Sequence, residues 1–494
     1  MNKNAKIHMK TEEFRKQGYK VIDWIADYYE HIEKYPVLSQ VEPGKIRSQL
    51  PDNAPIEGRE YDDILEDMNI IMPGITHWQS PNFHAFFPCA TSGPAVLGDL
   101  ISTGLGINGM SWETSPACTE LETHVLDWLV DMMALPKKFK SNSKGGGVIQ
   151  DTASSSSLVA LLTAREKASK GKTNENGVNE EFIAYTSSQA HSSIEKAVKI
   201  AGIGKNNMRM VNVDENFAMN SSHLRQLIEK DIEKGFKPIF VCATVGTTSS
   251  TALDPVNEIG KICKEFDIWL HVDAAMAGPA ALCEEYRFIH DGIDYADSYN
   301  FNPHKWMLTS FDCSVFYVAD RSQLINTMSI LPEYLKNKTS NSESVFDLRD
   351  WGIPLGRRFR ALKLWQVINY YGVSGLQEFI RSHMESTKVL RSWIDSNENF
   401  EIVAPTPLTL ICFRHINGDA FTEKLLNTIN ESGKAYLTHT KLNDQYIIRF
   451  SVGQTSTTIE HLKETWNYIV KTSNLSLIHI SEPTRLRRIS YAVF

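Results

Sequence analysis

Four short apolar runs constrain this chain more than any other feature. They are "FIAYTSS" (182–188), "PIFVCATVG" (238–246), "IWLHVDAA" (268–275) and "SVFYVAD" (314–320). None alternates apolar with polar residues as a half-exposed strand does, and each is shorter than a buried helix. They read as strands buried on both faces. Helical patterns around Ser192–Ile200, Ser222–Glu233 and Pro255–Glu265 separate the first three. Strand, helix, strand repetition predicts an α/β fold with a mostly parallel central sheet and helices on both faces.

The flanks differ. Residues 1–85 carry an amphipathic helix pattern over Thr11–His31 and a second over Glu57–Met68, without a core of their own. They are expected to pack on another part of the chain or on a second subunit. The large α/β domain is placed at 86–373. Residues 374–474, with a helix near Gln377–Asp395 and strand-like "FEIVAPT", "LTLICFRH" and "YIIRFSVG", read as a small α+β domain. The last stretch, 475–494, is basic and abruptly different, and reads as a non-native tail.

Composition excludes several function classes. With 51 basic and 59 acidic residues the net charge is −8, which disfavours nucleic acid or an anionic membrane as the main partner. No apolar run is long enough to span a bilayer, and no secretory signal pattern opens the chain. The seven scattered cysteines form no CxxC pair and read as thiols in a reducing cytoplasm. No metal-ligand spacing occurs, so no metal is expected. "GLGING" (Gly104, Gly106, Gly109) satisfies GxGxxG, but the residues before it read as helix, whereas a dinucleotide fingerprint follows a strand.

Five stretches carry possible chemistry. "GGGVIQDTASSSSLVALLTAR" (145–165) joins a glycine run to a hydroxyl-rich helix start, an arrangement suited to phosphate and equally to a plain serine cap. Asp273 ends a buried strand, where a carboxylate needs a partner. Thr247 and Thr248 follow a second strand, and His191 follows a third. Lys305 sits among Phe301, Pro303, Trp306, Met307 and Leu308. Either its stem is packed and its charge reaches water, or its amine is desolvated and becomes a nucleophile. A phosphate cradle, an acid, a histidine and a lysine in one crevice are the parts that pyridoxal phosphate requires.

Taken with "HWQSPNFHAFF", "SPACTELET", "HVDAAMAG", "NPHKW" and "IPLGRRFRALKLW", these stretches resemble the group II pyridoxal-phosphate decarboxylases, specifically the aromatic-L-amino-acid decarboxylase family, from about Phe14 to Lys471. The resemblance implies fold type I, a homodimer with active sites at the subunit interface, and pyridoxal 5'-phosphate as cofactor. It implies conversion of an aromatic L-amino acid to an arylalkylamine and CO2 through a Lys305 Schiff base and a quinonoid. Alternatives are aromatic aldehyde synthesis, decarboxylation of a non-aromatic amino acid, an oxidoreductase using "GLGING", or a silent binding protein.

Residue by residue, Lys305 matches the Schiff-base lysine and Asp273 the acid at the pyridine nitrogen. Ala275 would lie against the ring and His191 would stack on it. Ala153 and Ser154 match the phosphate-binding pair, and Thr248, Asn302 and His304 match further cofactor contacts. Trp78, Phe86, Phe87 and Pro88 match an aromatic pocket, with Asn108 and Met110 reaching it from the other subunit. Tyr334 matches the tyrosine of a loop that closes the site, the polar run Asn337–Ser344 suiting such a loop. Phenylalanine replaces this tyrosine in aldehyde-forming members. Gly356 matches a position where glycine accompanies indolic substrates among plant relatives.

Overall fold

The computed structural model describes residues 8–330 and 345–481. The chain divides into two compact units, Met1–Pro88 with Arg414–Phe494, and Cys89–Phe413.

The larger unit is built on a seven-stranded sheet: β1 (Gly146–Gln150), β2 (Phe182–Ser187), β3 (Met208–Val211), β4 (Lys237–Thr244), β5 (Trp269–Asp273), β6 (Ser298–Phe301) and β7 (Ser314–Val318). Their order is β1-β7-β6-β5-β4-β2-β3. The pairs β2/β3, β2/β4, β4/β5 and β5/β6 are parallel, while β7 runs antiparallel to β6 and β1. Every residue of β2, β5, β6 and β7 is buried, as the unbroken apolar runs predict for a sheet covered on both faces. Helices Ser193–Ile200, Ser221–Glu233 and Val256–Glu265 fall where the periodicity places them. Leu158, Val159, Phe182, Phe240, Trp269 and Phe316 are among the residues of one continuous core.

The helix expected from Gln377 begins earlier, at Arg360, and runs to Asp395. Gly372, at φ +64°, interrupts its helical geometry, and this break hides the first part from a periodicity reading. The residues before "GLGING" form the helix Gly93–Leu105, and Gly106 is its left-handed cap at φ +63°. A Cβ on Gly109 would stand 2.2 Å from Cys118 Sγ. Gly106 and Gly109 therefore serve a helix end and a close approach, and it is a helix that leads into them.

In the smaller unit the helix Thr11–Glu30 leaves Phe14 and Tyr19 exposed. Strand β8 (Phe400–Ile402) and most of β9 (Leu410–His415) belong to the end of the larger unit, while β10 (Thr438–Leu442) and β11 (Gln445–Ser451) of the smaller unit form an antiparallel hairpin. The helix Asp419–Glu431 precedes that hairpin, and the helix Ile459–Ser481 follows it. The tail from 482 onward lies outside the described residues. Among the described residues no helix is long and apolar enough to cross a membrane.

Candidate active site

Strand direction brings the candidate residues together. In a parallel sheet all carboxyl ends lie along one edge, where ligands bind in open α/β folds. β1 leads into Ala153 and Ser154, β2 into His191, β4 into Thr248, β6 into Asn302 and Lys305, and β5 ends on Asp273.

At the centre, Asp273 is held by its neighbours. Register pairs it with Thr244 on β4 and with Asn300 on β6. Its Oδ1 accepts the Ala275 N–H at 3.0 Å and the Asn300 side-chain N–H at 3.1 Å. Asp273 is 4% exposed, so these bonds compensate the burial of its carboxylate. Asn300 escaped the sequence reading. Its signal was a polar residue inside a strand of four wholly buried residues.

Lys305 lies in the four-residue helix Pro303–Trp306 directly after β6. Its N–H donates to the Asn302 carbonyl at 3.0 Å, and the Asn302 N–H donates to Ala275 at 3.0 Å, tying the segment to the residues after β5. On one side of Lys305, His304 Nδ1 accepts the Cys313 N–H at 2.9 Å, which places its own proton on Nε2. Burial, and then the neighbouring Lys305 charge, hold the His304 pKa down at about 3. On the other side, the Trp306 indole donates to His383 at 3.0 Å.

His191 is solvent-exposed by area, yet desolvation is the largest influence on it and holds its pKa below the usual imidazole value. Asp273 pulls that pKa up and Lys305 pushes it down, so the three groups share one electrostatic neighbourhood. The Ser193 N–H donates to His191 Nδ1 at 3.1 Å, leaving Nε2 for the site.

The helix Ala153–Ser169 opens beside this edge. Leading N–H groups of a helix have no intrahelical acceptor. The Thr152 carbonyl takes Ser155 and Ser156 (3.1 and 3.2 Å), so those of Ala153 and Ser154 remain available to an anion. Thr248 sits in the turn after β4, shaped by Gly246 at φ +82°, where a Cβ would press on Ala277 at 2.8 Å. Asn302 Oδ1 and Gln189 Oε1 are buried side-chain oxygens without a hydrogen-bond donor. Anion-ready N–H groups, a buried carboxylate, a lysine and two unsatisfied oxygens along one edge fit a phosphorylated heterocyclic aldehyde.

The proposed pocket residues divide between the units. Trp78, Phe86, Phe87 and Pro88 belong to the smaller one, where Trp78 stacks on Phe83 and Phe86 with ring centroids 4.4 and 5.7 Å apart. Asn108, Met110 and Gly356 belong to the larger. There Asn108 Oδ1 accepts the Arg357 N–H at 3.0 Å, and Met110 accepts the Arg349 N–H at 3.0 Å. A Cβ on Gly356 would stand 3.6 Å from Asn108 Nδ2, an ordinary contact, so packing does not demand glycine there. Arg357 is anchored on buried Glu122 at 2.7 Å, a pairing the sequence did not announce. Tyr334 lies outside the described residues. Among the described residues no group of three His, Cys, Asp or Glu side chains could hold a metal ion.

Comparison with known proteins places this arrangement. Residues 43–416 match the family model described as pyridoxal-dependent decarboxylase conserved domain. Tyrosine decarboxylase 2 of Narcissus pseudonarcissus is 48% identical over 470 residues, covering 93% of each chain. Phenylacetaldehyde synthase of Arabidopsis thaliana is 46% identical, covering 93% of this chain and 96% of that protein. The crystal structure of Oryza sativa TDC with PLP and tryptamine superposes with a TM-score of 0.92 at 38% identity, covering 95% of this chain and 99% of that one. A match across three quarters of the chain, together with relatives near half identity over almost all of it, makes this protein a member of the pyridoxal-phosphate-dependent decarboxylases, in the aromatic-amino-acid branch.

Proposed function

We propose that decarboxylation of an aromatic L-amino acid to its amine takes place at the strand-end edge described above. The convergence of Lys305, Asp273 and His191 on one electrostatic neighbourhood carries this reading. Pyridoxal phosphate, when bound, supplies the carbonyl that takes an amine and the ring that accepts the electron pair left as CO2 departs.

The chain's residues do the rest. Lys305 Nζ would hold the coenzyme through its aldehyde. Asp273, fixed by Ala275 and Asn300, keeps a proton on the ring nitrogen and so maintains the ring as an electron acceptor. Ala153 and Ser154 N–H groups would bind the phosphate, Thr248, Asn302 and His304 would add further contacts, and Ala275 would lie against the ring. His191 would cover the other face of the ring, near the substrate carboxylate. Tyr334 protonates Cα after CO2 leaves, and this tyrosine is the observation that favours amine over aldehyde as product.

Trp78, Phe86, Phe87 and Pro88 line the aromatic pocket, Asn108 and Met110 reach it from a second copy, and Gly356 is the position that leaves room for an indole. Homodimer formation is supported by the helix Gly93–Leu105, whose Leu97, Leu100, Ile101 and Leu105 are 47–58% exposed. The protein works in the cytoplasm, where its seven cysteines remain thiols.

The test is a mixture of aromatic and non-aromatic amino acids, with product identification, followed by borohydride reduction and peptide mapping. Arylalkylamine product and a label on Lys305 are expected. Aldehyde with ammonia, or a label elsewhere, overturns the reading. Tyr334→Phe is expected to turn the product from amine towards aldehyde and ammonia, and unchanged amine yield removes Tyr334 from the donor role.

A further inference from the structure

Lys363 is the least explained charge in the larger unit. It lies in the helix Arg360–Asp395, its side chain is 1% exposed, and it is among the largest fully buried side chains. Taking an ammonium out of water costs several kcal/mol, and a well-packed apolar residue of the same size commonly serves stability as well or better. Retention of the charge therefore points to something it holds.

What it holds is visible. Lys363 Nζ donates to Asp99 Oδ2 at 3.0 Å, and the same oxygen accepts the Ser310 hydroxyl at 2.7 Å. Ser310 sits in the turn 307–313 that joins the Lys305 helix to β7. That turn is pinned at three more points. Ser92 donates to the Leu308 carbonyl at 2.6 Å, Arg360 forks onto Asp312 at 2.9 and 3.1 Å, and the Cys313 N–H bonds His304, the residue before Lys305. Gly98 lets the two helices approach closely, since a Cβ there would stand 2.6 Å from Lys363 Cα.

We propose that Lys363 is a positioning residue for Lys305: through Asp99 and Ser310 it fixes the turn 307–313, and through His304 the turn fixes the lysine that carries the coenzyme. This rests on the reading of Lys305 as that lysine. Lys363 acts mechanically and touches neither substrate nor coenzyme. Its charge reaches His304 and Cys89, the same two groups that feel Lys305, so the two lysines are electrostatic neighbours.

The experiment is Lys363→Met, which keeps volume and removes the charge, compared with Ser310→Ala and the double variant. Coenzyme affinity is measured by titrating apoprotein, and the visible band of the holoenzyme is followed against pH. With apoprotein melting unchanged, Lys363→Met is expected to weaken coenzyme binding about ten-fold and displace the pH midpoint of the band, the scale of a sub-ångström misplacement. Ser310→Ala is expected to move both in the same direction by less. The double variant is expected to fall short of the sum, because both act through Asp99. Wild-type affinity and midpoint in Lys363→Met overturn the proposal. Should Lys363→Met not fold, Ser310→Ala decides by the same two measurements. A borohydride label away from Lys305 defeats the underlying reading, an outcome distinct from both.

Discussion

The indole N–H of Trp306 donates to Nδ1 of His383 at 3.0 Å, with both side chains buried. This bond ties the residue immediately after Lys305 to the long helix Arg360–Asp395. Trp306→Phe keeps most of the apolar volume and removes the donor. It is expected to destabilise the protein by about 1–3 kcal/mol, the range for disturbing a buried hydrogen bond. Denaturant unfolding of apoprotein and holoenzyme measures this, and a larger loss in the holoenzyme is expected.

Asp273→Asn separates charge from shape. The amide oxygen can still accept the Ala275 N–H, so the local fold should stand. Loss of the negative charge is expected to lower kcat by about 10²–10³, the usual scale for one preorganised electrostatic contact. Steady-state kinetics at saturating coenzyme check this, and coenzyme affinity is expected to fall in parallel.

Gly98→Ala probes helix contact alone. The added methyl would stand 2.6 Å from Lys363 Cα, a backbone atom that cannot rotate away. Overpacking of this kind is expected to cost about 1–3 kcal/mol. Thermal unfolding of the variant reports it.

Asp254 gives a pH signature. Burial raises its pKa from 3.8 to about 7, against the opposing pull of two backbone bonds, from Thr244 at 2.7 Å and Met219 at 2.8 Å. The native state keeps this proton after the unfolded chain has lost it. Stability from this group is therefore greatest below the unfolded value and declines as pH rises between about 4 and 7. Unfolding free energy measured across that window is expected to fall with pH, and Asp254→Asn is expected to flatten the slope.

Gly356→Ser tests substrate choice. A serine Cβ has room beside Asn108, at 3.6 Å, so the variant should fold normally. Its side chain narrows the space read as accommodating an indole. The kcat/KM ratio of tryptophan to tyrosine is expected to drop about ten-fold, the scale of a single-group change in an apolar pocket.

The sheet was legible because its strands are buried on both faces, and such strands are unbroken apolar runs. β3 and β6 hold four residues each, too few to show a period, and entered only through the structure. Lys305, Asp273 and His191 could be picked out because each has the wrong polarity for its surroundings or closes a strand. Their supports were harder to read. Asn300, Cys313, His383 and Glu122 act across 27, 9, 77 and 235 residues of chain on Asp273, His304, Trp306 and Arg357. A local pattern carries no trace of such partners, which depend on register and helix packing.

The parallel sheet has a consequence for ancestry. The atoms that would grip the coenzyme come from the ends of β1, β2, β4, β5 and β6, whose positions the buried sheet dictates. Gly356 lies on a separate segment after the sheet, where a larger side chain meets no backbone. Descendants of such a protein can exchange one aromatic diet for another by small steps, without ever passing through a form that has lost its vitamin.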